Sequence, residues 1–214
     1  NSWRIDARGA VDAGGVVREG FRLEIGGRVF QSPQPRRTRD GLEYVLVEDR
    51  PALRITRRIL LDTRRCGARV LDVFEERLGS PRTIVAQYTS RLDGSVQHVV
   101  DAIGAPLSSR GDSSGSSLVA ITGLVGPPSA VFVPGCPAKP AGPGPEAAPT
   151  IVHPKVVENQ RVLSFRFEFP LAGGATASVL QWIALRPDLM SIEAREVTAD
   201  FVREGELVDH GVPP

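Results

Sequence analysis

The sequence is poor in several residue types, and each scarcity excludes a class of protein. It contains only two cysteines, Cys66 and Cys136, so it lacks the C-x-x-C spacing of a zinc or redox site. Its apolar runs are far shorter than the roughly 20 residues that a membrane helix needs. We therefore expect no membrane insertion. Aromatic residues make up only 6% of the chain, which is low for a carbohydrate-binding surface.

The chain also lacks an excess of charge of one sign. It has 26 basic and 25 acidic residues, a net charge of +1, so no overall field attracts nucleic acid. The halves differ: residues 1–100 hold 18 Arg against 13 acids (+5), and residues 101–214 hold 8 basic residues against 12 acids (−4). All but two basic residues are arginine, whose planar fork recognises carboxylates and phosphates. A GC-rich genome also favours arginine, and this explanation fits better because the excess is spread along the chain rather than clustered.

Glycine and proline are abundant, at 22 and 18 residues, which excludes a helical bundle and favours short strands joined by turns. A Gly-Gly pair at 26–27 between alternating runs predicts a hairpin. The strand-plus-turn period is about 10–13 residues, which is typical of an antiparallel sandwich or barrel. The main predicted strands are 21–25, 42–47, 53–61, 69–78, 82–92, 95–103, 163–169 and 176–185.

The second half of the chain completes the predicted architecture. The strand at 163–169 has three phenylalanines on one face, and the strand at 176–185 is apolar on both faces, as expected for a central strand. Helical spacing of apolar residues predicts one C-terminal helix over about 189–204. We predict a mainly β protein, an antiparallel β-sandwich with that single helix.

Two stretches read as loops within one domain that spans 1–214. Residues 106–117 are rich in serine and glycine, and residues 134–150 are rich in proline and glycine. The segment after the second loop is too short to stand alone, which favours a single domain.

Charged residues on predicted inner faces are the first candidates for chemistry. Arg57 interrupts an apolar face, so we expect it to lie near a strand end or to pair with an acid. Asp72 and Glu76 share a face with Phe74, and we expect them to be solvated or paired with arginine. Glu75 and Glu76 are adjacent on one strand and face opposite sides, so they cannot form a glycosidase pair.

The serine-rich loop contains two short motifs. Residues 111–119 read Gly-Asp-Ser-Ser-Gly-Ser-Ser-Leu-Val and resemble the nucleophile segment of chymotrypsin-like serine proteases. A triad also needs a base, and His98, on a predicted strand, does not match that family's histidine. Catalysis by Ser113 is therefore not expected. Arg110 and Asp112 belong to an Arg-Gly-Asp tripeptide of the kind that integrins read, which also arises by chance in an arginine-rich chain.

Metal and cofactor signatures are missing from the sequence. His98, His153 and His210 share no ligand spacing with one another or with Cys, Asp or Glu. No G-x-G-x-x-G, P-loop or G-x-S-x-G motif occurs. We expect no cofactor and no metal.

The signals along residues 1–100 follow a particular order, carried by Trp3 with Gly9, the Gly26-Gly27 hairpin, and residues 41–45, 53–58 and 70–74. This order resembles bacterial β-sandwich domains of the supersandwich, galactose-mutarotase-like type. The resemblance implies a sandwich fold. Enzymes of that type use histidines and a carboxylate in the sheet, and only His98 could take such a place. The resemblance therefore implies a spacer, adhesion or assembly module rather than that activity.

We therefore expect a non-catalytic structural or protein-interaction module of a bacterial extracellular or envelope protein, with a protein partner or a second copy as its ligand. The start at Asn1 rather than Met fits a processed or partial chain, but a cytoplasmic location and a Cys66–Cys136 disulfide stay open. The expected interaction surface comprises Trp3, Arg36, Arg37, Arg39, Arg110 and Asp112.

Two alternatives to this function remain. A carbohydrate-binding module would require Trp3, Tyr44 or Tyr88 to be exposed together in a groove. A hydrolase would have its site near the 106–117 loop.

Overall fold

The computed structural model describes residues 3–13, 15–62, 66–93, 119–121, 129–138, 150–157 and 162–186. Fourteen strands lie in these ranges: β1 (Trp3–Ile5), β2 (Val11–Ala13), β3 (Val17–Ile25), β4 (Arg28–Val29), β5 (Arg36–Arg37), β6 (Glu43–Arg50), β7 (Leu53–Asp62), β8 (Gly67–Glu76), β9 (Arg82–Leu92), β10 (Val119–Ile121), β11 (Ser129–Ala138), β12 (Thr150–Val157), β13 (Val162–Leu171) and β14 (Thr176–Arg186).

The strands form two antiparallel sheets, which confirms the predicted sandwich. The first sheet has the order β1-β2-β3-β9-β13-β12, with β4 paired to β3. The second sheet has the order β10-β11-β14-β8-β7-β6-β5. The chain passes from one sheet to the other several times along this strand order. Two of these crossings, between β8 and β9 and between β13 and β14, meet at one end of the molecule.

The core lies between the facing sheets and combines aliphatic side chains with seven phenylalanines and Tyr88. Phe165, Phe167 and Phe169 of β13 are buried, as their alternation predicts. Phe169 packs edge-on against Phe74 of the other sheet, with ring centroids 5.5 Å apart. Each buried ring contributes about 1.5–3 kcal/mol relative to an exposed one. These contacts hold the sheets face to face.

Strand β14 is buried on both faces, as predicted for a central strand. Val179 and Ile183 face the first sheet and are fully buried. Trp182 and Ala184 lie on the opposite face and are also buried, at 4% and 0% exposure. The sheet that contains β14 therefore has side chains covered on both of its faces.

Prolines account for the main differences between the predicted and observed strands. The predicted 134–150 loop is shorter, because β11 runs on to Ala138 and β12 begins at Thr150. The pairing of β11 with β14 shifts register between Pro134 and Pro137. Prolines, which lack an N–H donor, are tolerated at such an irregularity. The interior of this loop (139–149), the 95–103 strand, the 106–117 loop and the 189–204 helix lie outside the described residues.

Candidate functional site

An arginine–aspartate pair lies in the core between the two sheets. Arg57 and Asp72 are directly opposite each other on β7 and β8, and both side chains are 0% exposed. The guanidinium donates from Nε to Oδ1 at 2.7 Å and from Nη2 to Oδ2 at 2.8 Å. Arg57 is thus at mid-strand, and of the two sequence-based alternatives the pairing with an acid is confirmed.

The same guanidinium binds the backbone of the opposite sheet. Its Nη1 donates to the carbonyl oxygens of Gly9 and Phe21, each at 2.9 Å. Gly9 has a φ of +66°, and a Cβ there would lie 2.5 Å from Cδ of Arg57. Glycine at this position therefore makes room for the arginine that connects the sheets.

A bulge in β3 aims the Phe21 carbonyl at Arg57. Glu19 and Phe21 have φ values of 51° and 53°, which non-glycine residues rarely adopt. Their N–H groups donate to Asp12 Oδ1 at 2.8 Å and to Ser90 Oγ at 2.9 Å. Side chains from β2 and β9 thus hold the unusual backbone in place.

Two rings enclose the guanidinium. Its central carbon lies 5.6 Å from the ring centroid of Phe30 and 5.8 Å from that of Tyr88, both within cation–π range. Burial alone would lower the pKa of Arg57, but Asp72 outweighs it and the pKa is raised. Burial, and then the Asp72 charge, raises the pKa of Tyr88 well above its ordinary value. Arg57 stays charged and Tyr88 stays protonated.

A second buried carboxylate lies on the outer face of the second sheet. Glu43 is 2% exposed, accepts a 2.8 Å bond from Nε of Arg58 and also pairs with Arg69. Burial lowers the pKa of Arg69, and the Glu43 charge opposes that shift. Glu43 therefore balances two arginines from neighbouring strands.

A third carboxylate fastens the β3–β4 hairpin to β6. Glu48 is 5% exposed and accepts bonds from Arg50 Nε at 3.0 Å and from the Gln31 N–H at 3.1 Å. Arg50 in turn donates from Nη1 to the Ile25 carbonyl at 3.0 Å. Opposite charges two residues apart lie on one face of a strand, so this pair could have been read from the sequence.

The fourth carboxylate, Glu76, lies where the β8–β9 and β13–β14 crossings meet, and its side chain is 0% exposed. It accepts backbone N–H bonds from Leu78 at 3.0 Å, Gly79 at 2.7 Å and Gly174 at 2.8 Å. Nη2 of Arg82 adds a fourth bond at 2.8 Å. The Gly174 bond contributes most to lowering the pKa of Glu76 from 4.5 to about 2, against the opposing effect of burial.

We expect Glu76→Gln to remove part of the protein's sensitivity to acid. Because the folded pKa is depressed, the ionised carboxylate stabilises the fold above about pH 4.5, and this is lost as the pH falls to about 2. In urea unfolding, the gap in unfolding free energy between wild type and variant should narrow as the pH is lowered between these two values. Glu75→Gln, exposed on the other face of β8, should keep the wild-type slope. A gap for Glu76→Gln that is constant with pH would contradict this expectation.

The four carboxylates thus share one property. Asp72, Glu43, Glu48 and Glu76 are the buried acids of the described ranges, and each pairs with at least one arginine. This agrees with the predicted arginine pairing of Asp72 and Glu76. In those same ranges no three His, Cys, Asp or Glu side chains are placed to hold a metal ion.

The predicted interaction residues divide into two groups. Arg36, Arg37 and Arg39 are exposed on β5 and the turn after it, whereas Trp3 is partly buried and packs against the core. The remaining residues that the sequence singled out, Arg110, Asp112, Ser113, His98 and His210, lie outside the described ranges.

Three further predicted positions lie on strands or in a turn. Cys66 is in the turn before β8 with a φ of 50°, and Cys136 is on β11. His153 lies on β12, and the structure describes only its backbone.

The aromatic residues do not assemble as the carbohydrate-binding alternative requires. Tyr88 is fully buried in the core. Tyr44 is partly buried, and the guanidinium carbon of Arg37 lies 4.9 Å from its ring centroid. Trp3 belongs to the other sheet. That alternative now depends on Trp3 and Tyr44 alone.

Comparisons with known proteins give distant structural likenesses only. No family model matches the sequence, and neither does any curated protein. One similar structure is a "Putative kojibiose phosphorylase from human microbiome", with a TM-score of 0.44 and 12% identity, over 87% of this chain and 25% of that chain. Another is a polysaccharide lyase, with a TM-score of 0.46 and 12% identity, over 91% of this chain and 28% of that chain.

Both names denote enzymes that act on carbohydrates, and this chain spans about a quarter of the length of each. Likenesses at these scores carry no argument about the function of this chain. The described ranges contain no helix that is long and apolar enough to cross a membrane.

Proposed function

We propose that this chain is a non-catalytic β-sandwich module that acts by holding a protein partner. The observation that carries the proposal is the neutralisation of every buried carboxylate in the described ranges by arginine. Catalysis by carboxylates, as in glycoside hydrolysis, needs a carboxylate that can approach a substrate. Here each buried carboxylate is used to join strands or turns.

The placement of these ion pairs supports a scaffold role. Arg57 of the second sheet donates to backbone carbonyls of the first sheet. Glu76 accepts backbone N–H bonds from both the β8–β9 and the β13–β14 crossing. Because these bonds hold the sheets and their connections in one arrangement, the edges and faces of the sandwich keep fixed positions. A preorganised surface of this kind favours binding of a partner. The extracellular or envelope location expected from the sequence is part of this proposal.

A turnover assay tests the proposal. The protein is incubated with neutral and acidic oligosaccharides, with and without inorganic phosphate, and new reducing ends, released sugar phosphates and unsaturated products are measured. We expect no turnover above the buffer rate. Turnover that Ser113→Ala abolishes would overturn the proposal in favour of a hydrolase near the 106–117 loop. Turnover that survives Ser113→Ala would also overturn it.

A further inference from the structure

The arginines of the described ranges fall into two classes. Half of the exposed ones pair with an acid, as Arg18 does with Asp93 at 2.8 Å and Arg166 with Glu168 at 3.1 Å. Five exposed arginines form no ion pair with any described residue. We call these five the arginine rim: Arg4, Arg8, Arg36, Arg37 and Arg39.

The rim residues lie on the terminal strands of the two sheets or next to them. Arg4 is on β1, an edge strand of the first sheet, and Arg36 is on β5, an edge strand of the second sheet. Ser32 connects the two segments, since its N–H donates to the Ala7 carbonyl at 3.2 Å and its hydroxyl accepts from the Val47 N–H at 3.1 Å. These bonds bring the segment that carries Arg4 and Arg8 next to the segment that leads into β5.

Strand β5 offers its backbone as well as its charges. No described strand pairs with its outer edge, so its main chain can receive another strand. Side chains alternate along a strand, which places Arg36 and Arg37 on opposite faces of the sheet. The guanidinium carbon of Arg37 lies 4.9 Å from the ring centroid of Tyr44, a cation–π contact that positions this side chain.

This arrangement selects the chemistry of the partner. A compact anion such as phosphate needs donors that converge, whereas Arg36 and Arg37 diverge to either side of the strand edge. An extended polypeptide with two adjacent carboxylates would direct one to each face, meet both arginines and pair with the β5 main chain. A second copy docked through the same edge would instead place arginine opposite arginine, which is unfavourable.

We propose that the arginine rim binds an extended acidic segment of a partner protein, which adds to the second sheet as a strand beside β5. This inference rests on the proposed function and names its partner class. Carboxylates of the segment pair with the rim guanidiniums. The backbone of the segment supplies hydrogen-bond partners for the main-chain donors and acceptors on the outer edge of β5.

Fluorescence anisotropy with a labelled peptide tests the inference. The probe is a peptide of about eight residues in which pairs of adjacent glutamates are separated by threonine, so that glutamates lie on both faces of the strand. A second peptide carries proline in place of threonine to block main-chain pairing. The rim variant is Arg36→Gln/Arg37→Gln/Arg39→Gln. The matched control, Arg18→Gln/Arg91→Gln/Arg166→Gln, removes the same charge from arginines that already have partners.

We expect the rim variant to bind the glutamate–threonine peptide at least about tenfold more weakly than wild type. The control variant should stay within about threefold of wild type, and the proline peptide should lose at least about tenfold. Circular dichroism checks that both variants are folded.

Three results would overturn the inference: no binding by wild type, equal losses in the two variants, or full binding of the proline peptide. A single-stranded oligonucleotide that binds the rim more tightly than the peptide would also overturn it. None of these results bears on turnover, so the proposed function and its partner class fail separately.

Discussion

Replacing Arg57 with methionine is expected to lower the free energy of unfolding by about 3–5 kcal/mol. Methionine fills part of the side-chain volume but leaves the Asp72 carboxylate buried without its cation. The carbonyl oxygens of Gly9 and Phe21 also lose their donor. A domain of ordinary stability has only about 5–15 kcal/mol in total, so this loss is a large fraction of it.

Urea unfolding followed by circular dichroism measures the effect, with the m-value as a check on the two-state assumption. Arg54→Met is the matched control, because Arg54 is on the same strand and its 3.8 Å pair with Asp49 is exposed. An exposed pair of this kind contributes about 0–1 kcal/mol. A loss for Arg57→Met no larger than that of the control would contradict the expected role of the buried pair.

The double variant Arg57→Met/Asp72→Leu separates the charge from the packing. Removing both partners leaves no buried charge, so we expect it to be less destabilised than Arg57→Met alone. It also keeps the test informative if the single variant does not fold. A double variant as unstable as the single one would show that the bonds to Gly9 and Phe21, rather than the Asp72 charge, dominate the effect.

Local alternation was enough to predict most of the strands near the centre of the sheets. The phenylalanines of β13 and the two apolar faces of β14 are properties of a few consecutive residues. The interrupted apolar face of β7 also indicated that Arg57 either lies near a strand end or pairs with an acid, because an unpaired buried charge is costly. That reasoning could not identify Asp72 as the partner, since the strand register decides it.

The features that escaped prediction depend on contacts distant in sequence or on backbone shape. Strand β12 contains Pro154, and its register against β13 shifts between Val152 and Lys155, so a proline rule alone argues against a strand there. The positive φ of Phe21 comes from bonds to residues tens of positions away. Glu43 lies on an outer sheet face where an acid would ordinarily be solvated, and its partner Arg69 comes from a later strand.

The β8–β9 and β13–β14 crossings approach each other so closely that only glycine fits where they make contact. Gly173 lies in the turn between β13 and β14, and a Cβ there would overlap the carbonyl group of Gly79 and lie 2.8 Å from the Ser80 nitrogen. The next residue, Gly174, and Gly79 both donate to Oε2 of Glu76. Steric contact and the shared carboxylate thus fix the same pair of turns.

Gly173→Ala is expected to destabilise the protein by about 3 kcal/mol, at the upper end of overpacking costs, because the clash is with backbone that cannot change rotamer. The strained turns should also form weaker hydrogen bonds to Glu76. In urea unfolding at neutral pH, the double variant Gly173→Ala/Glu76→Gln should therefore lose less free energy of unfolding than the two single variants lose in sum. Gly27→Ala is the control: its φ is +78° with nothing within 4 Å of an added Cβ, so its cost is conformational and should add to that of Glu76→Gln. Additive effects for Gly173→Ala and Glu76→Gln would show that steric contact and the carboxylate act on the turns independently.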